Sequence, residues 1–468
     1  MAVRLQFWGA DRQITGSRHL LEAAGRRLLI DCGMFQERLF LDRNWEPFPL
    51  PPAEIDACLL THAHLDHCGL LPRLVGDGFR GPILATPATA DLARIVLLDS
   101  AHILEEDASF KRKRHQREGR RGPHPEIPLY TVADAEEVFP RFRTVAYRAE
   151  AGLGAGLSAR FQDAGHILGS AMIEVRIVDG DARRTVVFSG DIGQWNKPLV
   201  HDPTTFPRAD YIIMESTYAG REHEDEGTVD DILARVVNET SAAGGNVVIP
   251  VFAVERAQEI LFHLSRLVAD RRIPRILTVL DSPMSVEVTA LFDRYRGELD
   301  EDARALFQEG RSPFNFPGLK LFRTPEESKT INSIRGSCII MAGSGMATGG
   351  RIKHHLIYNI ERPESTILFV GYQAGHTLGR QILDGQPEVR INGRRLLVKA
   401  RVVRIQGLSG HAAQSDLLRW LHAFEAPPRR LFLIHGEAEP ALDLAGRIER
   451  DLGWPVSVPE YQSAYVLD

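Results

Sequence analysis

Cysteine is scarce in this chain of 468 residues. There are four, Cys32, Cys58, Cys68 and Cys338, and no two of them form a CxxC pair. That speaks against a disulfide-built secreted fold, and a reduced, cytoplasmic protein is expected. Long apolar runs are missing too. No stretch approaches the length of a membrane span, so no membrane partner is expected, and the N-terminus "MAVRLQFWG" lacks the apolar core of a signal peptide. An excess of positive charge is also absent: 56 Lys and Arg stand against 62 Asp and Glu, for a net charge of -6. Any nucleic-acid site must therefore be a local positive cleft and not an overall field. There is no internal repeat and no long low-complexity linker. What remains is an ordinary globular composition, 44% hydrophobic and 25% charged. The length exceeds what one core usually serves, so two or three domains are expected.

Against this plain background stands "THAHLDHCG", residues 61 to 69, with His62, His64, Asp66 and His67 directly after an apolar run. Neutral imidazole and carboxylate suit zinc and similar divalent metals. His62 and His64 are two positions apart, so at the end of an extended segment they point to the same side. Asp66 and His67 come where the chain turns into the helical-looking "GLLPRLVGDG". Two pairs facing slightly different ways can serve two metals side by side. A polar loop that only caps a helix would need one such side chain, not four.

Further donors follow one grammar, in which an apolar run stops at a polar residue beside glycine or a turn. "RRLLIDCG" ends at Asp31, "RTVVFSGDIG" at Asp191, "ADYIIMESTY" at Glu215 and "RLFLIHGE" at His435. "LSARFQDAGHILGS" carries His166, and "VVRIQGLSGHAAQSD" carries His411. Buried strands that stop at a chemical group place it at the sheet edge, where α/β ligand sites lie. One Asp after a strand is an ordinary turn residue. The recurrence beside the histidine box points to a shared site.

With these residues in hand, the sequence resembles the metallo-β-lactamase fold through "HAHLDH", His166, Asp191 and Asp31. Through Glu215, His411 and His435 it resembles the β-CASP nucleases within that fold. The relatives closest in character are bacterial and archaeal relatives of the nuclease subunit of the cleavage and polyadenylation specificity factor. The blocks "ESTY", "IPVFAVERAQE", "DSPMS", "GSGMATGGR", "GLSGHAAQSD" and "IHGE" extend the resemblance over nearly the whole chain. The HxHxDH box alone would also fit glyoxalase II or a lactamase.

The resemblance implies an αββα sandwich with an inserted β-CASP domain. The strand–helix alternation from "GGNVVIPVFAV" to "STILFVGYQ" independently predicts a mainly parallel sheet flanked by helices. The expected domains are 1–215 and 394–468 for the sandwich and 216–393 for the insertion. The resemblance further implies two zinc ions. His62, His64 and His166 would hold one, Asp66, His67 and His435 the other, with Asp191 bridging. Asp31 would orient a ligand histidine, and Glu215 would do the same for His411, which could meet the scissile phosphate or protonate the leaving oxygen. Asp31, Asp66, Glu215 and His411 thus form the catalytic set.

In the RNA-processing β-CASP branch the last motif carries a histidine, whereas in the DNA-repair branch that place is usually apolar. His435 therefore implies a ribonuclease acting on single-stranded RNA, endonucleolytic, 5′-3′ exonucleolytic or both. A β-CASP DNA nuclease, a thioester hydrolase on the same site and an inactive scaffold stay as alternatives, and a homodimer stays open. In "GSGMATGGR", glycines let backbone N–H groups approach an anion. Ser344, Gly345, Thr348, Gly349, Gly350 and Arg351, with Arg256, are the candidate substrate contacts. The substrate strand is expected to cross between the two domains. "KRKRHQREGRR", residues 111 to 121, has seven basic residues in eleven. It reads either as a solvated mobile loop after a helix or as a basic lip for phosphates. His376, in "GYQAGHTLGR", stands where relatives usually carry glycine and is left outside the site.

Overall fold

The computed structural model describes residues 3–120, 122, 124–180, 182–222, 228–334 and 336–468. The chain divides into two units. The first comprises Met1–Trp195, Asp202–Glu222 and His411–Asp468, and the second Asn196–His201 and His223–Gly410.

Two seven-stranded sheets build the first unit. One runs in the order Ala464–Leu467, Val3–Gly9, Arg18–Ala23, Arg26–Ile30, Ala57–Leu59, Ile83–Ala85, Phe142–Thr144. The other runs Val456–Ser457, Arg430–Ile434, Tyr211–Glu215, Ala182–Phe188, Ala171–Asp179, Leu157–Asp163, Glu150–Gly154. Leu5, Phe7, Leu21 and Ile30 of the first sheet share one buried cluster with Phe161, Ile173, Phe188, Ile213, Phe432 and Ile434 of the second. The strands alternate as a two-residue period demands. Between those inward residues, Val187, Ile212, Met214, Leu431 and Leu433 pack against Leu417, Trp420, Leu421, Leu444 and Ile448 on the helices Gln414–His422 and Ala438–Leu452. Strands Arg26–Ile30, Ala57–Leu59, Ile83–Ala85 and Phe142–Thr144 pair in parallel. Parallel neighbours need crossovers, which the helices Leu71–Gly76 and Pro87–Glu118 supply. The inner face is taken by the other sheet, so these helices cover the outer one, and the layers read αββα.

The parallel strands decide where the chemistry collects. Arg26–Ile30 and Ala57–Leu59 run together, as do Ala182–Phe188, Tyr211–Glu215 and Arg430–Ile434. Their C-terminal ends deliver Asp31, the histidine box, Asp191, Glu215 and His435 to one edge.

The second unit is built on a six-stranded sheet, Leu319–Phe322, Leu277–Asp281, Cys338–Ala342, Val247–Pro250, Thr366–Phe369, Arg401–Arg404, in which every pairing is parallel. The sequence pattern places the end of the insertion at 393, whereas Arg401–Arg404 adds to this sheet beside Thr366–Phe369, and the first unit resumes at His411. The short hairpin Glu388–Ile391 with Arg394–Leu397 hides that added strand in the sequence, because it interrupts the strand–helix rhythm. The basic stretch is also not a loop. Helix Pro87–Glu118 runs for 32 residues, through Arg117, and closes at Gly119 with φ 64°. Arg121 lies outside the described residues. Among these, no helix is long and apolar enough to cross a membrane.

Candidate metal centre

After strand Ala57–Leu59 the chain stays extended through His64, then coils into the one-turn helix Leu65–Cys68. Asp66 and His67 therefore leave the extended line of His62 and His64, although the His62 and His67 rings stay close, 4.0 Å between centroids. The turn is packed tightly: a Cβ on Gly33 would sit 1.7 Å from the carbonyl oxygen of Asp66, so only glycine allows this approach. Asp31 and His435 stand at strand ends with left-handed φ of 59° and 53°. A left-handed residue reverses the chain at once, which points both side chains at the edge instead of along the sheet.

The residues singled out in the sequence gather into two adjacent groups. In one, His62 Nε2 lies 3.1 Å and His166 Nε2 3.2 Å from His64 Nδ1. In the other, His67 Nε2 lies 3.0 Å from His435 Nε2, and His435 Nε2 lies 3.5 Å from Asp66 Oδ2. Asp191 stands between them. Its Oδ2 is 3.4 Å from His62 Nε2 and 3.5 Å from His166 Nε2, while its Oδ1 is 3.2 Å from His67 Nε2 and 3.7 Å from His435 Nε2. His411 joins from the side, with Nδ1 3.1 Å from Glu215 Oε2 and 3.8 Å from Asp191 Oδ2.

These spacings fit divalent metal. Ligands ~2.0–2.1 Å from a tetrahedral ion stand roughly 3.3 Å from one another. The donors are all imidazole nitrogen and carboxylate oxygen, the set that suits zinc-like ions. Asp191 Oδ1 is fully buried and accepts no hydrogen bond. A buried carboxylate oxygen left that way is costly unless a cation completes it.

The electrostatics separate the groups. Burial pushes His62 down to about 3 and His64 down to about 4, and carries His166 well below its ordinary value. Those three rings stay neutral, the form that binds metal. For Asp191 burial favours the protonated acid, but His435, His67 and His62 outweigh it and hold the carboxylate ionised. Burial also opposes charge on His67 and His411. Asp191 and Asp31 reverse this at His67, and Glu215 and Asp191 raise His411 to about 9.

Supporting groups complete the site, and several were not legible in the sequence. Asp31 Oδ2 lies 2.7 Å from His67 Nδ1, and the same carboxylate accepts hydrogen bonds from the Thr61 N–H and hydroxyl, both at 2.8 Å. Thr217 Oγ1 lies 3.0 Å from His435 Nδ1 and donates to the His435 carbonyl at 2.9 Å. Glu215 accepts the Ile192 N–H at 2.5 Å. Ser189 Oγ accepts the Glu215 N–H at 3.0 Å. A hydroxyl next to a ligand, as in "HAHLDH" preceded by threonine or "ESTY", was the available signal.

The candidate substrate contacts belong to the second unit. Arg256 is buried, ion-paired with Glu259, and close to Lys197, which reaches the same carboxylate at 2.9 Å. The Glu259 pair occupies one side of its guanidinium inside the unit, while its Nε is buried without a hydrogen-bond partner. Arg351 is half-exposed but tied to Asp281 at 2.6 Å and to the Arg323 carbonyl at 2.7 Å. Ser344 Oγ accepts the Gly349 N–H at 3.2 Å and lies 3.2 Å from Thr348 Oγ1, so the hydroxyls partly serve the turn. A Cβ on Gly345 would meet the Phe252 ring at 2.6 Å, and one on Gly350 the Gly343 carbonyl at 2.4 Å. His376 is exposed with φ 65°, a backbone that glycine adopts freely.

Comparison with known proteins agrees with this architecture. Residues 20–191 match a metallo-beta-lactamase superfamily domain, 257–382 a Beta-Casp domain, and 395–459 a Zn-dependent metallo-hydrolase RNA specificity domain. Ribonuclease TTHA0252 of Thermus thermophilus is 41% identical over 460 residues, covering 98% of this chain and 99% of its own. Transcription termination factor FttA of Methanosarcina mazei is 32% identical over 466 residues, covering 96% of this chain and 69% of its own. A crystal structure of a protein of unknown function from Enterococcus faecalis V583 aligns over 100% of both chains with a TM-score of 0.56 at 14% identity, a likeness of fold alone. Sandwich, insertion and histidine- and carboxylate-bearing strand ends, together with a ribonuclease matched almost end to end, place this chain in the β-CASP ribonuclease family of the metallo-β-lactamase fold.

Proposed function

We propose that this chain is a zinc-dependent ribonuclease that hydrolyses phosphodiester bonds in single-stranded RNA. The observation that carries this reading is Asp191, whose two oxygens divide between two donor groups, Oδ2 towards His62 and His166 and Oδ1 towards His67 and His435. His62, His64 and His166 would hold one ion, Asp66, His67 and His435 the other, and Asp191 both. When bound, such a pair supplies Lewis-acid charge to the phosphate and acidifies a water enough to attack near neutral pH.

The chain's own groups set the rest. Asp31 would hold the Nδ1 proton of His67, so that Nε2 is the nitrogen that would give up its proton for a metal. Glu215 orients His411 through Nδ1, and His411 would bond a phosphate oxygen or protonate the leaving oxygen. In the second unit, Ser344, Thr348 and the backbone of Gly349 and Gly350 can meet a phosphate, with Arg351 adding charge from its exposed edge. RNA is favoured over DNA because His435 matches the RNA-processing branch, because residues 395–459 match an RNA specificity domain, and because TTHA0252 is named a ribonuclease. The four cysteines are all free and buried, which supports a reduced, cytoplasmic setting.

The test uses end-labelled and internally labelled RNA, DNA of the same sequence and a thioester, each with and without chelator, beside elemental analysis. RNA cleavage that the chelator abolishes is expected, with about two zinc ions per chain. Cleavage of DNA alone, or of the thioester without RNA, overturns the substrate. A stoichiometry near one overturns the paired site.

A further inference from the structure

The basic stretch is not used by the metal centre. Lys111, Arg112, Lys113, Arg114 and Arg117 put five cations in seven positions, in a chain whose net charge is -6. They lie on the last two turns of helix Pro87–Glu118. Helical periodicity splits these turns into two faces. One face is pinned. Glu105 accepts the Val132 N–H at 3.1 Å, Ala108 is buried, Arg112 donates to the Glu126 carbonyl at 3.0 Å, and His115 Nδ1 lies 2.6 Å from Glu126 Oε1. The other face points to solvent. Ile103 and Phe110 on it are 53% and 65% exposed, and Lys113 and Arg117 follow one and two turns beyond Phe110.

Two features of that outer face need an explanation. A single cation near a helix C-terminus satisfies the helix dipole. Here Lys113 stands four positions from Arg117 on the same exposed face, where like charges repel. A large aromatic ring is also held in water on a rigid support. Glu106 and Asp107 lie one turn earlier and confine the positive face to the end of the helix.

We propose that Phe110, Lys113 and Arg117 form a docking stripe for single-stranded RNA, apart from the metal centre. A base stacks on the exposed ring while the cations take the flanking phosphates. A duplex offers no free base to the ring, so the stripe selects a single strand. The proposal rests on the ribonuclease reading for its ligand. The helix also sets a length. Its first turn is tied to the loop after His166, where the Thr86 and Thr89 hydroxyls both donate to the Gly169 carbonyl at 2.7 Å. Phe110 lies roughly 30 Å along the axis from there, at 1.5 Å per residue. A long RNA can occupy both places, whereas a dinucleotide cannot.

The experiment compares the whole protein with Phe110→Ala/Lys113→Gln/Arg117→Gln and with Lys113→Gln/Arg117→Gln alone. Binding of a fluorescent single-stranded 30-mer RNA is measured in chelator across a salt series. Hydrolysis of bis-p-nitrophenyl phosphate and of a dinucleotide is measured with zinc restored. The triple variant should bind the 30-mer about tenfold more weakly or worse. The double variant should lower the salt slope by about 1.4, at roughly 0.7 per lost phosphate contact. Both should keep wild-type activity on the two small substrates. Unchanged affinity and slope in both variants overturns the stripe. So does equal competition by polyglutamate of matched charge, which would make the face a site for acidic protein. If wild type binds the 30-mer in chelator but does not cleave it with zinc, the ribonuclease reading fails while the stripe stands.

Discussion

Asp31 and His67 meet at 2.7 Å, carboxylate to Nδ1, on the side of the ring opposite the nitrogen that faces His435. The carboxylate thereby selects which nitrogen of His67 is left for a metal. Asp31→Ala should weaken zinc binding about 10–100-fold while the sandwich still folds. Competition with a chelator of known affinity reads this directly. Zinc retained as tightly as in the parent would make Asp31 a turn residue and no more.

His411 and Glu215 form a comparable pair that lies beside the proposed ligands. His411→Ala should slow RNA cleavage by ~10²–10⁴ with zinc content unchanged. Glu215→Gln should slow it less, since the amide can still orient the ring. Zinc lost together with activity in His411→Ala would reassign that histidine as a ligand.

In the second unit the carboxylate of Asp281 is held below the usual range. Burial opposes its ionisation, and hydrogen bonds from His355, Ser328 and Arg351 outweigh the opposition. A carboxylate whose pKa is lowered by folding adds its full stability above its unfolded value, near 3.9. That stability fades as pH falls through the lowered value. The unit should therefore loosen in acid below about pH 4. Asp281→Asn should cost about 1–3 kcal/mol at neutral pH and flatten the acid loss. Amide exchange along strand Cys338–Ala342 is the readout, and a variant with the parent's pH profile would remove Asp281 as the cause.

His376 offers a backbone test. At φ 65° the Cβ of a side chain crowds the backbone carbonyl at a cost of about 1 kcal/mol, and glycine avoids that cost while losing about as much in chain entropy. His376→Gly should change stability by less than about 1 kcal/mol, and His376→Val should destabilise more because its branched Cβ crowds that backbone. Thermal unfolding of both variants decides the matter. A large loss in His376→Gly would show that the imidazole makes an interaction of its own.

The donors and their order along the chain are legible in the sequence alone. His62, His64, Asp66 and His67 fall within six positions, and Asp31, Asp191, Glu215 and His435 each end an apolar run, so local pattern marks them. The parallel sheet of the second unit is legible for the same reason, since strand–helix alternation is local. Tertiary structure decided which side chains are occupied. Asp281 takes Arg351 from 70 positions away, and Glu259 takes Lys197 from 62. No periodicity records such partnerships, because a charge on a helix looks the same in sequence whether it meets a carboxylate or water. The same holds for Arg401–Arg404, whose place beside Thr366–Phe369 depends on a long-range pairing. It holds too for residues 111–118, a helical stretch whose Arg112 and His115 meet Glu126 from beyond the helix end. Sequence by itself determined the kinds of chemical groups and their order. Only folding determined which of them were left free to act, because that depends on desolvation and on neighbours far along the chain.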